Sequence, residues 1–163
     1  MTFEEVSHLQ HPASGVHLKR VHAKSPKLPA FLWGDEVRLK QVLVNLTKNA
    51  LKFSQRQEVK IKASFCPYRE LLIVHIVDTG RGINKDEMHK MFELFGKLDE
   101  RENREKVNIE GLGMGLFICK KIIDNTGGAI DCFSAGEGLG TTFMFSMHMR
   151  EAVQEAGEAK DED

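Results

Sequence analysis

Long apolar runs are missing: no stretch of this 163-residue chain approaches the roughly 20 residues that a membrane helix requires. Paired cysteines are missing too. Cys66, Cys119 and Cys132 are odd in number, widely spaced and without a CxxC, which argues against a disulfide framework or a zinc site and for free thiols in a reducing compartment. Charge of one sign is not in excess. The 23 Lys+Arg against 24 Asp+Glu give no global case for nucleic acid or a membrane surface. The opening MTFEEVSHLQHP has no basic stretch followed by an apolar one, so no signal peptide is expected. What is present is 41% hydrophobic and 29% charged residues, the composition of one ordinary globular domain.

The near-zero total hides an asymmetry. Residues 151–163 hold six acids and one lysine, a formal −5 out of a total of −1, which leaves the remaining residues at +4. Val153 is the only large aliphatic residue there, so this segment is expected to be an acidic tail outside the folded domain of residues 1–150. A moderately basic body is compatible with a small polyanion.

Periodicity divides the body. Residues 16–22 alternate and suggest a strand. Gly34-Asp35 opens a helical pattern that runs to about Ser54, with Asp35 as its N-cap and Leu39, Leu43, Leu46, Ala50 and Phe53 as its apolar face. Strand patterns at 58–66 and 71–78 flank Pro67–Glu70, which predicts an antiparallel hairpin whose second strand is buried. A short helix is expected at 85–94 behind Asn84, a long polar loop at 96–111, and a helix from about Gly113 to Asn125 that stops at Gly127-Gly128. Strands at 129–134 and 141–149, joined by a Gly-rich turn, complete an α+β sandwich with an antiparallel-rich sheet in one layer and helices in the other.

Four clusters carry chemistry. Arg38, Gln41, Asn45, Asn49 and Lys52 share the polar face of the long helix. A stripe of this kind is usually a solvated surface. Asparagine, however, is a poor helix-interior residue, and its carboxamide oxygen suits a hard ion such as Mg²⁺. Asp78-Thr79-Gly80-Arg81-Gly82-Ile83 ends the buried strand. By itself it reads as a tight turn, yet a carboxylate there could accept a hydrogen bond from an exocyclic amine such as that of adenine. Gly111-Leu112-Gly113-Met114-Gly115-Leu116 puts unhindered N–H groups at a helix start, an anion site in principle, but it is neither a P-loop nor a dinucleotide fingerprint. Gly138-Leu139-Gly140-Thr141-Thr142 is adequately explained as a hairpin turn.

Taken in order, DEVRLKQVLVNLTKNALKFS, VDTGRGI, MFELFGKLD, GLGMGLFICKKI and GEGLGTTF resemble the catalytic ATP-binding domain of sensor histidine kinases, members of the GHKL ATPase superfamily with the Bergerat fold. The likeness spans about residues 16–149, and MFELFGKLD resembles the hybrid type. It implies a two-layer α/β sandwich: a mixed, mostly antiparallel sheet against three main helices, with a mobile ATP lid over residues 96–112. It implies ATP and Mg²⁺ as ligands, with Asn49 as the metal ligand and Asn45 beside metal and phosphates. Hydrolytic relatives carry a water-activating Glu at that first position, and Asn45 cannot act as a base. Lys52 and Lys97 are implied at the phosphates. Asp78 is implied at the adenine amine, with Gly80, Gly82 and Ile83 shaping the pocket. Phe92 and Phe95 are implied at the start of the lid. The box of Gly111, Leu112, Gly113, Gly115 and Leu116 is implied at the lid's phosphate side, and Thr142 at the last pocket position.

The resemblance further implies phosphoryl transfer to a histidine on a separate helical hairpin, in cis or in trans, and a response-regulator receiver domain downstream. The hairpin's His-Glu/Asp-x-x-x-Pro sequence is not found here. His8-Leu-Gln-His11-Pro12 lacks the acid after histidine. The segment is expected to be a monomeric domain facing the cytosol, without direct membrane contact. A hydrolytic ATPase and a nucleotide-binding pseudokinase are the alternatives.

Overall fold

The computed structural model describes residues 28–88, 90–93 and 114–152. The expected strand at 16–22, the lid at 96–112 and most of the acidic tail lie outside the described residues. In chain order the elements are β1 (Leu32–Trp33), α1 (Glu36–Phe53), β2 (Ser54–Cys66), a single 3₁₀ turn (Pro67–Arg69), β3 (Leu71–Gly80), α2 (Lys85–Met88), α3 (Met114–Asn125), β4 (Ile130–Phe133), β5 (Thr142–His148) and β6 (Arg150–Glu151).

Helix α1 starts where the sequence says it should. The Asp35 carboxylate accepts from the Arg38 N–H at 2.9 Å, satisfying one of the unpaired donors of the first turn. Its buried face is wider than the expected stripe and includes Val42 and Thr47 beside Leu43, Leu46 and Ala50. Phe53 is only half-buried. Its ring lies under the Arg81 guanidinium at 4.6 Å and the Lys52 ammonium at 5.1 Å. Helix α3 ends as expected, with the Gly128 N–H on the Ile123 carbonyl and the Gly127 N–H on that of Asp124.

Four strands form one sheet in the order β2-β3-β5-β4, and every pairing among them is antiparallel. Residues of one parity along each strand are buried: Val59, Ile61, Ala63 and Phe65 on β2, Leu72, Val74 and Ile76 on β3, Phe143, Phe145 and Met147 on β5. Helices α1 and α3 cover that face and pack on each other, which makes the two layers. Burying each of these side chains larger than alanine contributes about 1.5–3 kcal/mol. The 85–94 helix is shorter than expected. Beyond it two four-residue turns are closed by Lys90 N–H to Glu87 O and Glu93 N–H to Lys90 O. These carry Met91 into the core against the Cys132 thiol. The two-residue ribbon of β1 with β6 was not anticipated. No helix of the described residues is long and apolar enough to cross a membrane.

Candidate functional site

The site is built at the C-terminal end of β3. Asp78 is the last residue of that strand to turn a side chain inward, buried at 4% exposure where the preceding inward side chains, Leu72, Val74 and Ile76, are aliphatic. Its Oδ1 accepts from the Gly80 N–H at 2.8 Å and the Thr141 N–H at 3.2 Å. Among the described residues its Oδ2 takes no bond. Burial pushes the carboxyl pKa above its ordinary 3.8, and the two backbone N–H groups oppose that shift. The result is one carboxylate oxygen fixed by the fold and one left for an incoming donor.

Two turns close around this carboxylate. Gly82 has φ +69°, and a Cβ on it would stand 2.0 Å from the Gly136 carbonyl oxygen. Gly140 has φ +75°, and a Cβ there would stand 2.2 Å from the Asp78 carbonyl oxygen. Only glycine serves at either place, because both the conformation and the space exclude a side chain. The Gly140 N–H donates to the Gly80 carbonyl at 3.1 Å and the Gly138 N–H to that of Arg81. Ser134, nearly fully buried, accepts from the Ile83 N–H at 3.0 Å and donates to the Gly140 carbonyl at 2.7 Å. Ile83 is buried beside it.

Helix α1 is stitched to the same turn. The Arg81 N–H donates to the Phe53 carbonyl at 3.2 Å, and Ser54 pairs with Gly80 across a bulge in β2. The polar stripe therefore points along the helix from this turn toward α3. Lys52 is exposed, while Asn45 and Asn49 are half-buried. Asn45 hydrogen-bonds the buried Cys119 thiol of α3, and its Oδ1 faces the open space over Gly115 at 4.0 Å from where a Cβ would sit. Burial pushes the Cys119 thiol up to about 11 against that hydrogen bond, so it stays protonated at neutral pH. Cys132 is likewise raised to about 11, first by burial and then by the neighbouring Asp131 charge. Neither thiol is a nucleophile at neutral pH.

The residues bear on a metal as follows. Among the described residues no three His, Cys, Asp or Glu side chains cluster. The Asn49 carboxamide takes no partner among them. A half-buried, neutral oxygen without a partner suits Mg²⁺, which keeps water and phosphate oxygens as its other ligands, and does not suit zinc.

The sequence-derived site divides in three. Asp78, Gly80, Gly82 and Ile83 come together in the turn, with Asn45, Asn49, Lys52, Gly115 and Leu116 on the flanking helices. Phe95, Lys97, Gly111, Leu112 and Gly113 lie outside the described residues. The residue at Asp78 is Thr141, buried and bonded through its N–H. Thr142 stands one position further on β5, in register with Val77 and Phe133 and on the opposite face from buried Phe143. Ser134 and Thr141 were missed. The only signal was a serine just before a Gly-rich turn and the first of two adjacent threonines. At the opposite end of the sheet, Trp33, Gly34, Glu70, His148, Met149 and Arg150 line an open cleft that shares none of these groups.

Comparison with known proteins agrees with the geometry. Residues 34–151 match the family profile described as histidine kinase-, DNA gyrase B- and HSP90-like ATPase. Hybrid signal transduction histidine kinase K of Dictyostelium discoideum is 31% identical over 151 residues, 85% of this chain but 12% of that protein. The aerobic respiration control sensor protein ArcB of Escherichia coli K12 is 32% identical over 136 residues, 83% of this chain and 17% of that one. The chain thus spans less than a fifth of the length of these curated relatives. Among solved structures, full-length ShkA in complex with AMPPNP superposes with a TM-score of 0.63 at 30% identity, over 77% of this chain and 24% of that one. The catalytic domain of histidine kinase ThkA gives 0.56 at 29% identity, over 70% of this chain and 69% of that one. The α+β sandwich, the turn around Asp78 and these matches converge: the chain belongs to the histidine kinase-, DNA gyrase B- and HSP90-like ATPases, and its relatives within them are histidine kinases.

Proposed function

We propose that this domain binds Mg-ATP and passes the γ-phosphate to a histidine on a separate helical-hairpin domain, from which a receiver domain draws it in two-component signalling. The carrying observation is Asp78, whose Oδ1 is held by two backbone N–H groups while Oδ2 is left to accept from the adenine amine. Gly80, Gly82 and Ile83 shape the base pocket around it, and Thr141 rather than Thr142 borders it.

In this reading Asn49 holds Mg²⁺, with Asn45 beside it and Lys52 and Lys97 at the phosphates. Mg²⁺ supplies charge neutralisation across the phosphate oxygens. Phe95 and the segment with Gly111, Leu112, Gly113, Gly115 and Leu116 close the phosphate side. The acceptor's ring nitrogen forms the new N–P bond as the bond from the γ-phosphorus to the bridging oxygen breaks, and ADP leaves with that electron pair. Asn45 cannot take a proton from water, and its side chain is engaged with the Cys119 thiol, so ATP is held rather than hydrolysed. A site that uses cytosolic ATP faces the cytosol.

The test mixes the purified domain with a helical hairpin bearing an acceptor histidine and Mg-ATP. Acid-labile phosphohistidine with slow phosphate release is the expected result. Rapid hydrolysis without a hairpin contradicts the kinase reading in favour of a hydrolytic ATPase. ATP binding with no phosphohistidine favours a pseudokinase.

A further inference from the structure

The polar contacts of the base pocket converge on one hydroxyl that bonds none of the described residues assigned to the phosphates. Ser134 follows β4 and is only 2% exposed. Its Oγ accepts from the Ile83 N–H at 3.0 Å and from the Gly136 N–H at 3.3 Å, and lies 2.7 Å from the Gly140 carbonyl oxygen and 3.2 Å from that of Gly136. A hydroxyl has one proton to give, and the 2.7 Å contact to Gly140 is the shorter. The Gly140 carbonyl and the Thr141 N–H are the two ends of one peptide plane. Ser134 grips the carbonyl end, and the N–H end donates to Asp78 Oδ1.

We infer that Ser134 is the positioning residue for base recognition. By fixing the 140–141 peptide plane it aims the N–H that orients the Asp78 carboxylate, and by holding the Ile83 N–H it fixes the far side of the Gly82 turn. Gly140 makes the control necessary: at φ +75° a glycine peptide is free to turn unless something holds it. The inference rests on the adenine reading of Asp78.

The experiment compares ADP with the diphosphate of purine riboside, which lacks the 6-amino group, in Mg²⁺-free titrations of the domain. The wild type is expected to prefer ADP. Ser134→Ala is expected to weaken ADP binding about fivefold or more and the analogue's far less, so that the preference collapses. A loss of fold alone lowers both affinities alike and leaves their ratio in place. A preference in the wild type that Ser134→Ala retains overturns the inference alone. No preference in the wild type overturns the adenine reading of Asp78 and the inference with it. Should Ser134→Ala fail to fold, Ser134→Cys, with a weak donor of similar shape, is read the same way: a diminished preference supports the inference and an intact one overturns it.

Discussion

The two ends of the proposed nucleotide site are made differently. At the proposed adenine end the Asp78 carboxylate is buried, two backbone N–H groups hold one of its oxygens, and two glycines with no room for a side chain lock the surrounding turns. At the proposed phosphate end the described candidate groups are side chains on one helix face, with Lys52 exposed and Asn49 without a described partner. In this reading the base meets a site that is rigid before binding. Phosphates and metal, which bring their own charge and water, meet a set of donors that gains partners only when loaded. Changes to the glycines that lock the proposed adenine end should therefore disturb structure and binding together, while changes at the proposed phosphate end should affect binding alone.

The largest effect is expected at Gly82. Gly82→Ala puts a Cβ into the Gly136 carbonyl at a positive φ. A loss of about 2–4 kcal/mol in a denaturant melt, with loss of ADP binding, is expected. A variant with wild-type stability contradicts the rigid turn.

Asp78→Asn separates binding from stability at the rigid end. The native carboxyl has a raised pKa, so above 3.8 the folded chain holds more protons than the unfolded one. Stability contributed by that proton is present below 3.8 and is lost as pH rises through the raised native value. At neutral pH the buried charge thus opposes folding. The amide keeps the acceptor for Gly80 and Thr141 and removes the charge. The nucleotide-free variant should melt no lower than wild type at pH 7 while ADP affinity drops at least about tenfold. The same raised pKa predicts that wild-type ADP affinity falls on acidification once Asp78 protonates, and that Asp78→Asn flattens this profile.

Asn49→Ala probes the open end. Its half-buried carboxamide supports nothing described, so thermal stability should move by less than about 0.5 kcal/mol while the Mg²⁺-dependent gain in ATP affinity disappears. Retention of that gain removes Asn49 from the metal. The smallest effect belongs to neither end. The Thr47 hydroxyl is fully buried with no partner among the described residues, and Thr47→Val should stabilise by about 1 kcal/mol with unchanged nucleotide affinity.

Legibility in the sequence followed the same division. The shared helix face could be read: the placement of Asn45, Asn49 and Lys52 depends only on helical spacing, and the helix formed with its Asp35 cap in place. The position of Asp78 could be read as well, since a carboxylate ending an apolar strand stands out. Ser134 could not, because its partners lie up to 51 residues away in the chain and a lone serine gives no period. That Thr141 rather than Thr142 turns toward Asp78 was not legible for a related reason. A one-residue shift on a strand reverses the face, and two adjacent threonines do not say which points inward. Phe53 fitted the apolar stripe, yet its ring is drawn under Arg81, a residue fixed by the turn rather than the helix. The β1–β6 ribbon is two residues long, too short to leave an alternation.

Amide hydrogen exchange of the nucleotide-free domain reads the rigidity of the turn at the N–H groups of Gly80, Ile83 and Thr141. All three should be protected well beyond the unfolded chain before any nucleotide is added, and ADP should add little. Exchange at unfolded rates without nucleotide, with protection appearing only on ADP binding, would mean that the proposed adenine end is shaped by its ligand rather than by the fold.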